Sequence, residues 1–255
     1  MVLTLPQIQV FLLIFARVVG IFIQAPVYSA RTFPTLGKTA LAVWISAAMW
    51  FSAPVEALPP NMPVFVFMLM SEFMIGFVIG FVCNALFEAL QSAGNLIDLQ
   101  MGTSIASAMD PNTGAMSSMV GRLAFFMGLV VFLILNGHHM ILAGVHHSFS
   151  VIPIGHTIHF SAGLALQVVE AVSSLFLIAL QLAVPALLII FLSDFSFGIV
   201  SRVAPQVNVF MLGFQVKPSL GMLALLFSVP LITSHVGTLI NQMVQEIIKV
   251  LANIR

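Results

Sequence analysis

Residues 64–88 read VFVFMLMSEFMIGFVIGFVCNALFE, and this stretch decides the fold class. Its only charges are Glu72 and Glu88. About 20 apolar residues span a hydrocarbon core of about 30 Å, and backbone in lipid must satisfy its own polar groups. The stretch therefore predicts a membrane-associated helix. Glu72, Gly76, Gly80, Asn84 and Glu88 recur every four residues, the spacing of one helix ridge. Gly76 and Gly80 form a small-xxx-small pair, which lets another backbone come close. The ridge reads either as a subunit contact or pore-facing stripe, or as ordinary packing inside the chain.

The same character extends outward. Of 255 residues, 60% are hydrophobic and 16 are charged, with a mean hydropathy of +1.15. A soluble domain of this size would carry about 64 charges, so the outer surface must meet lipid or other apolar subunits. Charge-free intervals predict six apolar segments, at about 8–27, 40–53, 64–87, 123–145, 168–192 and 218–240. The second is short for a span and ends at Pro54. Arg17 and Glu72 fall inside apolar segments, where a charge normally faces a partner or a wet cavity. Pro185 and Pro230 predict kinks. Met1–Gln9 carries no Lys or Arg, so the first apolar segment is expected to stay in the mature protein. The positive-inside rule gives conflicting votes: Arg31, Lys38, Arg122, Arg202 and Lys217 lie in alternate loops, yet six spans would put Lys249 and Arg255 on the wrong side.

Eight basic side chains balance eight acidic ones, which excludes steering to nucleic acid. Cys83 has no second cysteine to bond. No Gly-rich phosphate loop, HExxH, CxxC or GxSxG occurs. Six histidines cluster at His138, His139, His146, His147, His156 and His159, but no carboxylate lies between Arg122 and Glu170. The pairs stand about 10–14 Å apart along a straight helix, too far for one ion, so a polar hairpin end is expected rather than a metal site. Residues 91–122 are the least apolar part; Asp110-Pro111-Asn112-Thr113-Gly114 is a turn signal, and Met101, Met109, Met116 and Met119 stand among small residues. Composition alone reads this part as a connecting loop or as a pliable seal. At 236–255 an amphipathic helix is expected, with Val236, Ile240, Met243, Ile247, Val250 and Ile254 on its apolar face.

Taken in order, the residues resemble the FliR/SctT family of type III secretion export-gate components over essentially the whole length. The resemblance is carried by Arg17, Gly20, Pro26, Pro34, Lys38 and Leu41-Ala42, then by GNLIDLQMG from Gly94 to Gly102, which holds Asp98 and Gln100. Asp110-Pro111 with Gly114 and then Asn136-Gly137-His138 follow. The most specific stretch holds Asp194, Arg202, Pro205-Gln206, Asn208-Val209-Phe210, Gly213-Phe214 and Lys217.

The resemblance implies an all-α fold. Membrane-associated helical hairpins would assemble into a helical export-gate ring, unlike an ordinary lipid-bathed bundle, with residues 1–255 as a single domain. It implies FliP, FliQ and FlhB as partners, an FlhA export ring nearby, unfolded flagellar subunits as cargo, and the bacterial inner membrane at the flagellar basal body as the location. The loop at about 106–122 would contribute the closing plug, through Met109, Asp110, Pro111, Asn112, Thr113, Gly114, Ala115, Met116 and Met119. No catalysis, cofactor or metal is implied. Two rivals remain at this stage. A small-solute secondary transporter would use Arg17, Glu72, Asp98 and Asp110 as coupling groups. An intramembrane enzyme would use the histidines, but lacks the motif.

Overall fold

In the computed structural model the described residues are 4–29, 34–51, 53, 55, 58–103, 118–155 and 162–254. They form seven helices: α1 Leu5–Gln24, α2 Thr35–Trp50, α3 Met62–Met101, α4 Met119–Ile134, α5 Gly137–Val151, α6 Ala162–Val203 and α7 Val209–Ile254. No strand occurs among the described residues; Val55 and Ile154 form one isolated parallel bridge.

Helix starts follow local chemistry. Gln7 Oε1 accepts from the Thr4 N–H at 3.0 Å ahead of α1. Asn61 Oδ1 accepts from the Val64 N–H at 3.1 Å, and Asn208 Oδ1 from the Met211 N–H at 3.2 Å. These caps satisfy first-turn donors that have no partner within the helix. Between α4 and α5, Asn136 takes the left-handed conformation at φ 57°, a geometry Asn tolerates better than most residues. It thus breaks the apolar segment expected at 123–145 into two helices.

Other boundaries also differ from expectation. The third segment does not stop at 87: α3 runs to Met101, because Ala93, Ile97, Asp98 and Met101 bury one face of the polar stretch. Its 40 residues amount to about 60 Å at 1.5 Å per residue. Residues 119–122, read with the loop, are the first turn of α4. The amphipathic stretch at 236–255 belongs to the longer α7. α6 and α7 continue as helix through Pro185, Pro218 and Pro230, which membrane helices tolerate where neighbours re-satisfy the freed carbonyls.

Among the described residues, four helical segments are long and apolar enough to cross a membrane: Leu5–Gln24, Met62–Met101, Ala165–Val203 and Val209–Phe227. The α4–α5 pair makes five if counted as one broken span. α2, at 16 residues, is too short to qualify. The chain is a helical membrane protein.

Two compact units are present. The first comprises Met1–Leu86, Leu133–Ser174 and Ile240–Arg255. Here α1 packs on α2, and Leu13, Ile14, Ile21, Ile75, Phe149 and Ile152 are fully buried or nearly so. The second comprises Phe87–Phe132 and Leu175–Leu239. Phe87 packs against Phe125 and Phe132, with ring centroids 5.8 and 5.4 Å away. Leu175, Ala179, Ala183, Ala186 and Ile190 form the buried seam of α6. Small residues on such a seam let helices approach, which matters in lipid, where van der Waals packing replaces the hydrophobic drive between helices. Large apolar side chains remain exposed on the isolated chain, including Phe227 at 81% and Phe51 at 92%.

Candidate functional site

α3 carries two polar constellations, each contained within one unit. The first surrounds Arg17, which has no exposed surface. Its Nε donates to Glu72 Oε2 at 2.6 Å, with Nη2 equally close. Nη1 donates to Ser148 Oγ at 3.2 Å, and Nη2 to the Ile152 carbonyl at 3.0 Å. The guanidinium carbon lies 4.2 Å from the centroid of the Phe149 ring. A buried charge is tolerated when paired and hydrogen-bonded, and here three neighbours share that task while the Phe149 ring covers one face.

Glycines bring Arg17 within reach. A Cβ on Gly76 would fall on the Arg17 carbonyl oxygen. One on Gly80 would come 2.7 Å from the Ile21 carbonyl oxygen, and one on Gly20 would come 2.8 Å from the Phe77 nitrogen. The Glu72–Gly76–Gly80 part of the ridge therefore seats α1. Farther along, Asn84 is half-buried and Glu88 exposed.

The second constellation lies at the end of α3. Gly94 opposes Gly121 of α4: a Cβ on Gly94 would come 2.7 Å from the Gly121 Cα. Asp98 is buried; its Oδ1 accepts from Thr103 Oγ1 and its Oδ2 from the Met119 N–H at 3.1 Å. Gly102 ends the helix at φ 80°, a left-handed conformation that suits glycine. Gln100 Nε2 donates weakly to Asp194 Oδ2 at 3.4 Å, and Asp194 Oδ1 lies 2.5 Å from Lys217 Nζ. These groups edge a cavity of about 560 Å³, whose lining includes Gln100, Gly102, Asp194, Phe210, Gly213 and Lys217. Residues far apart in sequence thus converge on one place. Arg202 lies instead, exposed, in the last turn of α6, and Pro205, Gln206 and Asn208 on the exposed turn between α6 and α7.

Of the residues expected in the plug, Met109, Asp110, Pro111, Asn112, Thr113, Gly114, Ala115 and Met116 lie outside the described residues. Met119 is exposed at the start of α4. His156 and His159 also lie outside the described residues. The rings of His138 and His139 sit 4.2 Å apart, while His146 and His147 are exposed. Among the described residues, no group of three or more His, Cys, Asp or Glu side chains is placed to hold a metal ion. The groups a transporter would need, Arg17, Glu72 and Asp98, are engaged in internal contacts.

Sequence reasoning missed Ser148, Phe149 and Ile152 as the companions of Arg17, and Gly121 as the counterpart of Gly94. None of the four lies on a recognisable motif. It also missed the Asp194–Lys217 pair. The signal was there: Asp194 is the only acid between Glu170 and Glu246, and Lys217 the only lysine between Lys38 and Lys249.

The chain matches the family model of bacterial export proteins, family 1, over residues 8–243. It is 31% identical to the flagellar biosynthetic protein FliR of Bacillus subtilis, over 85% of this chain and 84% of that protein. It is 30% identical to the flagellar biosynthetic protein FliR of Escherichia coli, over 93% and 89%. The Yop proteins translocation protein T of Yersinia pestis is 29% identical over 88% and 87%.

Proposed function

The chain belongs to the family of bacterial export proteins, family 1, and from that membership we propose that it is a core subunit of the flagellar type III protein export gate. It is a component of a flagellar or type III export apparatus, as both groups of relatives have it. The finer reading is that it forms, with FliP and FliQ, the channel that passes unfolded flagellar subunits across the bacterial inner membrane. FlhB sits at the cytoplasmic entrance, the FlhA ring lies nearby, and the whole gate belongs to the flagellar basal body. Residues of about 106–122 contribute to its closing plug. The flagellar branch is preferred because the FliR of E. coli matches over 93% of the chain.

One observation carries this reading: the match to export proteins runs through nearly the whole chain, including both polar constellations of α3. Large apolar side chains exposed on α2, α6 and α7 fit a surface covered by lipid and sister subunits. The work is physical. An apolar, methionine-rich constriction keeps water and ions out at rest and yields to a passing chain. No bond is made or broken, and no cofactor or metal is required.

The test is to purify the tagged chain and identify what accompanies it, then shorten residues 108–116. FliP and FliQ are expected in the purified complex, and the shortened variant is expected to assemble and leak ions. Absence of both partners, or unchanged resting conductance in an assembled shortened gate, would count against the reading.

A further inference from the structure

A cavity of about 360 Å³ opens between α1 and α2, within the first unit. Its volume falls in the range of small-ligand clefts. Val19, Phe22 and Ile23 of α1 and Ala42 of α2 give it apolar walls. Its polar groups come from the turn after α1, through Ser29, and from the first turn of α2, through Thr35 and Lys38. Lys38 is half-buried, and its Nζ donates to the Ser29 carbonyl at 3.0 Å, its one partner among the described residues. An ammonium has three donors, so two stay available. The neighbouring Thr39 hydroxyl donates to the Leu36 carbonyl at 3.0 Å, which leaves Thr35 as the second donor. Among the described residues no carboxylate lines the cavity, and the first turn of α2 holds no acidic residue.

We propose that this cavity binds an anionic phospholipid: the Lys38 ammonium takes the phosphate, and one acyl chain lies against Val19, Phe22, Ile23 and Ala42. The occupant follows from the pairing of charge and surface. A half-buried ammonium with no counter-charge is best satisfied by an anion, yet the apolar walls offer nothing to a free, hydrated one. An apolar helix of another chain would cover the walls and leave the ammonium without a counter-ion. A lipid satisfies both, because its phosphate and its hydrocarbon are one molecule. α1 is long and apolar enough to lie in a membrane, and Lys38 stands past its end, where lysines reach for headgroups. The site requires only that α1 lie in a membrane, and holds whatever the chain exports.

The test uses the full chain, purified through a tag with its accompanying subunits and placed in vesicles of phosphatidylethanolamine. A trace of phosphatidylglycerol is added that carries a diazirine near the carbonyl end of one acyl chain. After illumination, trypsin cleaves after Arg17 and Arg31, and the label is read on residues 18–31. A phosphatidylcholine probe with the same acyl chains is the comparison without net charge. Attraction between one lysine and an anionic headgroup is worth about fivefold in occupancy, so the phosphatidylglycerol probe is expected to label residues 18–31 about fivefold more than the phosphatidylcholine probe. Lys38→Gln should bring the two probes together, and Lys38→Arg should keep them apart. Val19→Trp fills the apolar side and should remove the excess with Lys38 still in place.

Equal labelling by the two probes in the parent overturns the site, as does an excess that persists in Lys38→Gln or in Val19→Trp. Parent residues 18–31 without label would mean that another chain covers the groove, which overturns it too. Inorganic phosphate, compared with chloride at equal ionic strength, should leave the excess unchanged; its loss would make this a site for free phosphate and sink the lipid. Lys38 also ties the turn after α1 to α2, so thermal unfolding in detergent checks that each variant is folded. Should Lys38→Gln fail that check, Val19→Trp and the comparison of probes decide, since both keep the bond from Lys38 to Ser29.

Discussion

Arg17 and Glu72 meet through a 2.6 Å contact in a place without solvent, although 55 residues separate them. The pair exists because Gly76, one turn beyond Glu72, lets the backbone of α1 rest on α3 at Arg17 itself. A charge that would be costly in an apolar helix becomes a register mark: Arg17 finds Glu72, Ser148 and Ile152 together in one arrangement of α1, α3 and α5.

Removing one partner should therefore hurt more than removing both. Glu72→Ala or Arg17→Ala leaves a buried charge unpaired and is expected to cost about 3–5 kcal/mol, whereas Arg17→Met with Glu72→Met should lie much nearer the parent. Thermal unfolding of the purified chain in detergent measures this. A double variant less stable than either single one would show that the pair does more than satisfy its own charges.

Glycines differ sharply in what they tolerate. A Cβ at Gly76 would land on backbone, which cannot rotate away, while Gly144 has nothing within 4 Å of such an atom. Gly76→Ala, and still more Gly76→Leu or Gly80→Leu, should push α1 off α3 and reduce co-purification with partner subunits. Gly144→Ala should leave the isolated chain as stable or firmer by up to about 1 kcal/mol, from helix propensity alone. Equal unfolding temperatures for Gly76→Ala and the parent would mean that the close crossing is not needed.

Much of this was legible in the sequence, and the residue types explain why. Glu72, Gly76 and Gly80 were readable because a ridge repeats every four residues whatever lies across from it. Its partner was not, because Arg17 reaches Ser148 and Ile152 through folding, and no local period encodes that. Helix identity was set by the lack of charge, but the end of α3 was misjudged. GNLIDLQMG looks like loop by polarity, yet it buries Asp98 by pairing it with Met119. A polar residue with a remote partner reads as surface until the partner is known. The break at Asn136 was lost in an apolar segment expected to run unbroken over 123–145, because hydropathy does not register a single left-handed residue, whereas the segment expected at 168–192 does continue as helix through Pro185.

Tyr28 offers a titration with one reporter, since it is the only tyrosine. Burial, reinforced by nearby Cys83, pushes its phenol above the ordinary value of 10.0. Its ring stacks on Phe22 at 4.4 Å, and its hydroxyl donates weakly to the His138 carbonyl at 3.4 Å. The fold favours the protonated form, so its contribution to stability is complete below the unfolded value and is lost as pH rises through the folded one. Absorbance at 295 nm should show ionisation at higher pH in the folded chain than in the denaturant-unfolded chain. Coincident curves would place the phenol in water.

The Asp194–Lys217 pair is the part of the second constellation best suited to a charge exchange. The two side chains are about a third and a quarter exposed, so water screens them and each single change should cost only about 1 kcal/mol. A single reversal still sets two like charges across the cavity edge. Asp194→Lys alone should lower protein export by the apparatus in cells that rely on this chain, as should Lys217→Asp alone. The double exchange restores the attraction, and Gln100 can follow it, because turning its amide presents the oxygen to a lysine in place of the nitrogen it now gives to Asp194. Export measured for the four combinations gives the coupling directly. Recovery in the double exchange is expected; a double variant as weak as the sum of its parts would mean that Asp194 and Lys217 act on separate neighbours.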